Sequence, residues 1–392
     1  MKTVKNSKLK IQDSRSPSAY TLLTPGPTPV PQEFLNKMAE PVLHHRTPEF
    51  GRILNSVFEN LRYVFQTETA EAFVLSGSGT AALETAIVNF FSAGERVLIC
   101  SIGAFGERWS AMAKAHGLNA DVLKFEQGQA VDPQKVKEYL GSHPDVRGVF
   151  VTHTETSTGT TNPIPTIGEI LKTKDVLYLV DAVSSLAGEE FRQDAWGIDV
   201  AASASQKGLM CPPGLAFISV GPRALERMKT AKLPRFYFDL SFYRESKKVP
   251  ETPFTPPVSL LAGLALALES VKRETLETYW ARYKKLAQHT RSAVKETLGC
   301  SLLSARPANV LTAFYGPSES EAKKIPTTTV LKKLRDDYKI TIADGQGHLK
   351  GKILRIAHMG AITKEDIDRG IAALVEAYAS YGVSCRSLSF KI

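Results

Sequence analysis

The sequence predicts an α/β protein, with a large domain built on a mainly parallel sheet and a smaller C-terminal α+β domain. Three observations support this. The chain has 392 residues, more than one ordinary core holds, so two packed domains are expected. From about residue 50, short apolar runs alternate with helical patterns, as in parallel sheets covered by helices on both faces. The last third changes pattern and opens with a long charged helical region.

The elements of the large domain follow in chain order. Residues 24–29, Thr-Pro-Gly-Pro-Thr-Pro, form a rigid turn-rich segment that neither a helix nor a central strand accommodates. Helices are predicted at 81–91 and 133–140. The apolar run 258–268 is shorter than the ~20 residues of a membrane span and indicates a buried helix. Buried strands of the predicted sheet, which is of the seven-stranded type, are expected at 71–75, 96–100, 148–153, 176–181, 199–203 and 215–220.

The C-terminal domain is predicted to begin near residue 270. Its last helix begins near Thr363, which is able to cap it together with Asp366 three residues later. The elements before it are a helix at 274–298, a strand at 310–315, a helix at 329–338 and a strand at 352–357. The chain is therefore divided into a basic tail (1–20), a large domain with the candidate site (21–270) and a small C-terminal domain (271–392).

The composition indicates a soluble globular protein, with 43% hydrophobic and 23% charged residues. The net charge of +9 suggests a nucleic-acid partner. The dense basic patch is confined to the tail, however, so neither nucleic acid nor membrane is expected to bind. The tail lacks the apolar segment of a secretory signal, and the cytoplasm is the expected location. The cysteines lie too far apart for a zinc site or a disulfide scaffold, and no metal is expected; they are Cys100, Cys211, Cys300 and Cys385.

Residues 76–80, Ser-Gly-Ser-Gly-Thr, follow a predicted strand and open a predicted helix. Glycines let the backbone approach an anion closely, and the N–H groups of a helix N-terminus then bind phosphate. The pattern is neither Gly-x-Gly-x-x-Gly nor a Walker A sequence, which disfavours dinucleotides and nucleoside triphosphates. An ordinary strand-to-helix turn explains this segment equally well.

Three charged residues are further candidates. Asp181 ends the predicted strand 176–181, at the edge where α/β proteins bind ligands, and there it could keep a pyridine nitrogen protonated. Lys207, flanked by small residues, could form an imine with an aldehyde cofactor. Arg355, inside the strand 352–357, could hold a carboxylate through two parallel hydrogen bonds. Taken singly, each has a plainer explanation: a turn-capping aspartate, a solvent-facing lysine and an exposed strand residue.

In this order and on these elements, the four features resemble the class V, or fold-type I, aminotransferases, which depend on pyridoxal 5'-phosphate (PLP). Within them the likeness is to the alanine–glyoxylate and serine–pyruvate aminotransferase group. The resemblance runs from about residue 21 to about residue 380. It is carried by the segments 24–30, 64–67, 75–84, 151–159, 179–185, 205–208, 253–256 and 351–356.

The resemblance implies a role for each residue that matches the family's motifs. Lys207 would carry PLP as a Schiff base and move the substrate α-proton, and Asp181 would pair with the pyridine nitrogen. Arg355 would hold the substrate α-carboxylate, with the backbone of Gly26 close by. A homodimer with shared active sites is implied, because one residue would reach the neighbouring subunit's phosphate. The other cofactor-binding residues would be Ser78, Gly79 and Thr80 at the phosphate with Gln206 nearby, Phe105, Val183 and Thr156 around the ring, and Thr255 at the neighbouring subunit's phosphate.

Some positions depart from the family's pattern. Phe105 stands where close relatives often carry Trp, and Thr80 stands where some carry His. Thr252 occupies the place of a phosphate-binding Tyr in some relatives. Residues 44–46, His-His-Arg, lie near the expected substrate entrance and are candidates for binding a second acidic group of the substrate, although a structural or surface role is commoner for such residues. These differences leave the cofactor assignment intact and the substrate open.

The predicted reaction is a ping-pong transamination from a small amino acid, such as alanine or serine, to a 2-oxo acid such as glyoxylate or pyruvate. An acidic donor such as aspartate is one alternative, and a lyase of the cysteine desulfurase type is another. Such lyases typically place His before the lysine, where Gln206 precedes Lys207 here, and they need a mobile-loop cysteine that this sequence does not obviously offer. A non-catalytic protein that kept the fold would have lost Lys207, Asp181 or Arg355, and all three are present.

Overall fold

The computed structural model describes residues 20–385, so the basic tail predicted at 1–20 lies almost wholly outside the described residues. Helices and strands alternate through most of the chain, as predicted. In chain order they are β1 (Thr21–Leu22), α1 (Gln32–Met38), α2 (Pro48–Phe65), β2 (Glu71–Gly77), α3 (Gly79–Val88), β3 (Arg96–Ser101), α4 (Ala104–Ala115), β4 (Asn119–Lys124), α5 (Pro133–Ser142), β5 (Val146–Thr152), β6 (Thr154–Glu155), β7 (Thr160–Thr161), α6 (Ile164–Leu171), β8 (Leu177–Asp181), β9 (Val200–Ala204), β10 (Gly214–Val220), α7 (Pro222–Met228), α8 (Leu240–Ser246), α9 (Val258–Glu274), α10 (Leu276–Glu296), β11 (Leu311–Tyr315), α11 (Ser318–Ala322), α12 (Thr327–Tyr338), β12 (Ile340–Thr341), β13 (Ala343–Asp344), β14 (Ile353–Ala357) and α13 (Lys364–Ala379).

The central sheet has seven strands in the order β2-β10-β9-β8-β5-β3-β4. Strand β10 is antiparallel to both of its neighbours, and the other pairings are parallel, so the prediction of a mainly parallel sheet is confirmed. A parallel crossover needs about a dozen residues or more. The connection between β9 and β10 spans only residues 205–213, and β10 therefore returns beside β9 in the opposite direction.

Side chains on the two faces of this sheet enter two separate cores. Along β3, Leu98 and Cys100 lie in one apolar cluster, while Val97 and Ile99 lie in the other. All four are at most 1% exposed. A strand buried on both faces reads as a continuous apolar run, which explains why the sequence identified these strands. The edge strand β4 was not predicted, because its residues are only half-buried or exposed and its sequence is correspondingly mixed.

The C-terminal part contains a three-stranded antiparallel sheet, β11-β14-β13, packed with helices around a third apolar cluster. The predicted cap of α13 is confirmed: Asp366 N–H donates to Thr363 Oγ1, and Thr363 N–H donates to Asp366 Oδ2. The boundary near residue 270 stays a prediction; that position lies within α9. Within the described residues, no helix combines the length and the apolar character that a membrane crossing requires.

Candidate active site

The candidate active site lies at one edge of the central sheet, where several parallel strands end. Strand β10 is antiparallel to both β2 and β9, so β2, β3, β5, β8 and β9 all run in one direction. Helix α3 follows β2, helix α4 follows β3, and the loop that carries Lys207 follows β9. The carboxyl edge of a parallel sheet is where α/β proteins bind ligands.

Lys207 is enclosed at this edge, with its side chain only 8% exposed. Its Nζ donates a hydrogen bond to the backbone oxygen of Pro25. Gly26 has φ +125°, and a Cβ at this position would overlap the Lys207 side chain. Burial lowers the pKa of Lys207 to about 8, although the negative charge of Asp181 raises it. A fraction of the amine is therefore deprotonated near neutral pH, as a nucleophile or base requires.

Asp181 is the last residue of β8 and is 3% exposed. Its Oδ1 accepts the N–H of Val183 at 2.8 Å. Burial raises the pKa of Asp181 to about 7, against the lowering effects of the Val183 hydrogen bond and the positive charge of Lys207. A cation placed against this carboxyl group would restore its ionised form. A strongly perturbed carboxyl group beside a perturbed lysine is characteristic of functional sites.

The phosphate cradle predicted from the sequence is the N-terminus of α3. Ser78 is the N-cap residue, and its side chain does not bond the free N–H groups of the first turn. A Cβ on Gly79 would come within 2.8 Å of Val183, so only glycine permits this packing. The backbone oxygen of Gln206 accepts the Thr28 N–H at 3.2 Å. Among the described residues, the buried Gln206 Oε1 has no hydrogen-bond partner.

Glu155 is a residue of the site that the sequence analysis did not single out. It is fully buried, and its carboxylate accepts the N–H groups of Phe105 and Gly106, both at 3.1 Å. The same carboxylate accepts the N–H of Ser157 at 3.1 Å and its hydroxyl at 2.5 Å. Burial raises the pKa of Glu155, and these hydrogen bonds lower it. Glu155 thus fixes the first turn of α4 and with it the Phe105 ring.

Arg108 was also missed. It lies one turn after Phe105 on α4, and its Nη1 donates to Thr80 Oγ1 at 3.2 Å. Its guanidinium carbon is 4.8 Å from the centroid of the Phe105 ring. Residues three apart on a helix share a face, which is the signal that could have paired Arg108 with Phe105 from the sequence. That Thr80 would meet them depends on the packing of α3 against α4.

Arg355 lies on β14 and is 5% exposed, so the explanation of an exposed strand residue is wrong. Its Nε donates to the backbone oxygen of Asp344 at 2.7 Å, and its Nη1 donates to that of Thr156 at 2.9 Å. The Thr156 hydroxyl is in turn 2.5 Å from that of Ser184. Burial lowers the pKa of Arg355 to about 10, although Asp344 and the neighbouring Glu155 raise it. The guanidinium is held by neutral carbonyl groups and therefore keeps its charge available for an anion.

Thr255 stands apart from the other predicted site residues. It is exposed, and together with residues 42–45 and 256–260 it lines a surface cavity of about 570 Å³. His44 and His45 belong to this cavity, whereas Arg46 forms an ion pair with Glu251. The contribution of Thr255 to a neighbouring subunit's site stays a prediction.

The sequence from residue 21 to residue 369 matches the family described as Aminotransferase class-V. The chain belongs to the class V aminotransferases. This aminotransferase is 42% identical to the soluble hydrogenase 42 kDa subunit of Anabaena cylindrica, over 90% of this chain and 91% of that protein. It is 34% identical to the L-aspartate–glyoxylate aminotransferase of Paracoccus denitrificans, over 93% of each. It superposes on an aspartate aminotransferase of Thermus thermophilus with a TM-score of 0.84 and 34% identity, over 92% of this chain and 99% of that one.

The cofactor of this class V aminotransferase is PLP, and the residues of the site fit it. The buried Asp181 carboxyl group has a raised pKa and suits a cationic ring nitrogen. The enclosed Lys207 amine has a lowered pKa and suits an aldehyde. The N-terminus of α3, where Gly79 packs closely against Val183, suits a phosphate group. The fold is that of the fold-type I enzymes, as the resemblance implied.

Proposed function

We propose that this aminotransferase moves the amino group of a small amino acid, such as alanine or serine, to a small 2-oxo acid, such as glyoxylate or pyruvate. The observation that carries the proposal is the buried Arg355 guanidinium, which acts on the pKa of Lys207 and has only backbone carbonyl groups as hydrogen-bond partners among the described residues. Such a group binds the α-carboxylate that amino acids and 2-oxo acids share. The name of the Paracoccus relative, an aspartate–glyoxylate aminotransferase, supports glyoxylate as the acceptor.

Each polar residue of the site has a defined task in this proposal. PLP, when bound, supplies an aldehyde that reacts with amino groups and a ring that withdraws electrons. The Nζ of Lys207 holds the cofactor and then removes or returns the substrate α-proton. The carboxylate of Asp181 holds the proton of the ring nitrogen in place. Arg355 orients the substrate so that its α-carbon faces Lys207, and the backbone at Pro25 and Gly26 closes the site beside the amine.

Ping-pong kinetics follow from the presence of one carboxylate-binding arginine. Donor and acceptor both carry an α-carboxylate, and both would use Arg355. Since two carboxylates cannot occupy one guanidinium in the same orientation, the amino acid must leave as its 2-oxo acid before the acceptor binds. A double-reciprocal plot with parallel lines is the expected kinetic pattern.

An acidic donor such as aspartate is the second candidate. Two relatives are named for aspartate, the Paracoccus aspartate–glyoxylate enzyme and the Thermus aspartate aminotransferase. The cavity lined by His44, His45 and Thr255 supplies imidazole groups that could bind a second carboxylate. If Thr255 reaches the site of a neighbouring subunit, these histidines would reach it as well.

The lyase alternative finds no support at the cysteines. Cys100, Cys211 and Cys300 are buried, and burial raises the pKa of each thiol to about 12. The half-buried Cys385 also has a raised pKa. A sulfur acceptor must be an accessible thiolate, so none of the four suits that chemistry.

A homodimer is part of the proposal. The surface near the Thr255 cavity exposes large apolar side chains, with Val42 at 72% exposure, and the segment before it exposes Phe236 at 69% and Val249 at 60%. Apolar surface of this kind commonly marks an interface. The cytoplasmic location also remains a proposal that rests on the sequence.

The test is the visible spectrum of the purified enzyme, recorded before and after L-alanine, L-serine or L-aspartate is added separately. A donor that shifts the cofactor band, and whose effect glyoxylate or pyruvate reverses, establishes transamination and ranks the donors. Replacing Arg355 with Gln should raise the KM of the donor and the acceptor together, by roughly 10- to 100-fold, while Arg355→Lys should recover part of the loss. A protein whose spectrum responds to none of the donors, or an Arg355→Gln variant with both KM values unchanged, would overturn the proposal.

A further inference from the structure

Arg108 carries a positive charge at the mouth of the candidate phosphate cradle. Its Nη1 donates to the hydroxyl of Thr80, in the first turn of α3, at 3.2 Å. Its guanidinium also lies 4.8 Å from the centroid of the Phe105 ring. Arg108 therefore contacts both the predicted phosphate ligand and the predicted ring neighbour.

No carboxylate neutralises this charge within the part of the chain that the structure describes. Several other arginines of the large domain form ion pairs, for example Arg96 with Asp121 and Asp145, and Arg227 with Glu95. Arg108 forms no such ion pair among the described residues, and its side chain is exposed. An unpaired guanidinium that is fixed by a hydroxyl and an aromatic ring is ready to bind an anion.

The positive charge of Arg108 affects the ionisable groups inside the site. Burial is the main cause of both perturbed pKa values; the charge of Arg108 opposes the raised pKa of Asp181 and adds to the lowered pKa of Lys207. Both effects have the sign expected for a nearby cation. The arginine is thus close enough to act on a ligand held between the α3 N-terminus and Lys207.

We propose that Arg108 binds the phosphate group of PLP and supplies the fixed positive charge of the cradle. A phosphate monoester carries a charge of roughly −1.5 to −2 at pH 7, whereas a helix N-terminus offers only about half a positive charge. The other predicted phosphate ligands of this chain, Ser78, Gly79, Thr80 and Gln206, are neutral. The inference rests on the predicted place of the phosphate at α3, but it is independent of which amino acids are substrates.

The competing explanation is that Arg108 acts only through the ring, by holding Phe105 in place. The two explanations differ in the chemical group on which the arginine acts. Pyridoxal has the same ring as PLP and lacks the phosphate. A residue that binds the phosphate discriminates between these two compounds, and a residue that only orients Phe105 affects both equally.

The experiment measures the dissociation constants of PLP and of pyridoxal for the apoprotein, by absorbance titration at fixed ionic strength. Arg108→Gln should weaken PLP binding by roughly 10- to 100-fold and change pyridoxal binding less than about twofold. Arg108→Lys keeps the charge and should weaken PLP binding less than the glutamine variant does. Lys114→Gln removes an exposed charge from the last turn of the same helix and should leave both constants unchanged.

Inorganic phosphate gives a second, independent measurement. It should compete with PLP for the wild-type apoprotein, and the competition should weaken in Arg108→Gln. Equal weakening of PLP and pyridoxal, or no weakening of either, overturns the proposal. If no amino donor changes the cofactor spectrum, but PLP still binds and Arg108→Gln still weakens its binding, the proposed function is refuted and this inference stands.

Discussion

Replacing Asp181 with Asn should stabilise the cofactor-free protein at neutral and alkaline pH, although it removes the proposed partner of the ring nitrogen. The wild-type carboxyl group is buried and accepts one backbone N–H, from Val183. Without PLP, burial raises the pKa of this group to about 7 from its ordinary 3.8. The asparagine carbonyl accepts the same N–H and carries no charge, so the variant mimics the protonated carboxyl group at every pH.

The sign and size of the effect follow from proton linkage. Between pH 3.8 and about 7 the folded state binds the Asp181 proton more strongly than the unfolded chain does. The contribution of Asp181 to the free energy of unfolding is therefore highest below pH 3.8, falls as the pH rises, and reaches its lower value above about pH 7. At 1.36 kcal/mol for each pKa unit, the total loss is up to about 4 kcal/mol. The variant lacks this loss, so the two proteins should be equally stable near pH 4 and differ by up to about 4 kcal/mol at pH 8.

The assay is urea unfolding of both apoproteins from pH 4 to pH 8 at one fixed protein concentration, because association would shift the apparent stability. Asp175→Asn is the matched control. The Asp175 side chain is 97% exposed, so its replacement should change the free energy of unfolding by at most about 0.5 kcal/mol at any pH. An Asp181→Asn apoprotein that is no more stable than the wild type at pH 8, or a difference that does not shrink toward pH 4, would refute the reasoning. The same variant should also lose most of its aminotransferase activity.

Two further predictions concern the support of the site. Glu155→Ala would leave buried N–H groups without an acceptor and should lower the free energy of unfolding by about 3 kcal/mol or more, whereas Glu155→Gln should lower it by roughly half as much. Urea unfolding measures this free energy, and the circular dichroism of the bound cofactor reports on the site. Unchanged values in both variants would contradict the role given to the Glu155 carboxylate. Gly26→Ala should lower PLP occupancy, measured by absorbance, because the added Cβ overlaps the Lys207 side chain. Gly94→Ala is the control: Gly94 also has a positive φ, +80°, but a Cβ there meets no described atom within 4 Å. This variant should keep full PLP occupancy in the same assay.

The local pattern of the chain determined most of the elements. Continuous apolar runs identified β2, β3, β5, β8, β9 and β10 to within two residues, because strands buried on both faces must be apolar throughout. The cap at Thr363 was readable because its partner Asp366 lies three residues away. Asp181, Lys207 and Arg355 could be predicted as site residues because their motifs are short and each follows or lies on a recognisable strand.

The tertiary structure decided what depends on contacts between distant residues. The fixing of Phe105 by Glu155 joins positions 50 residues apart, and the bond from Arg108 to Thr80 joins two separate helices. The direction of β10 was set by the short connection after β9, which no periodicity reveals. The burial of Arg355 depended on the packing of β14 against the loop at Thr156. This burial excludes the explanation that Arg355 is an exposed strand residue. Periodicity along a chain shows which side of a helix or strand is buried, but it does not show which other element covers that side. The chemistry of this site depends on those contacts between elements.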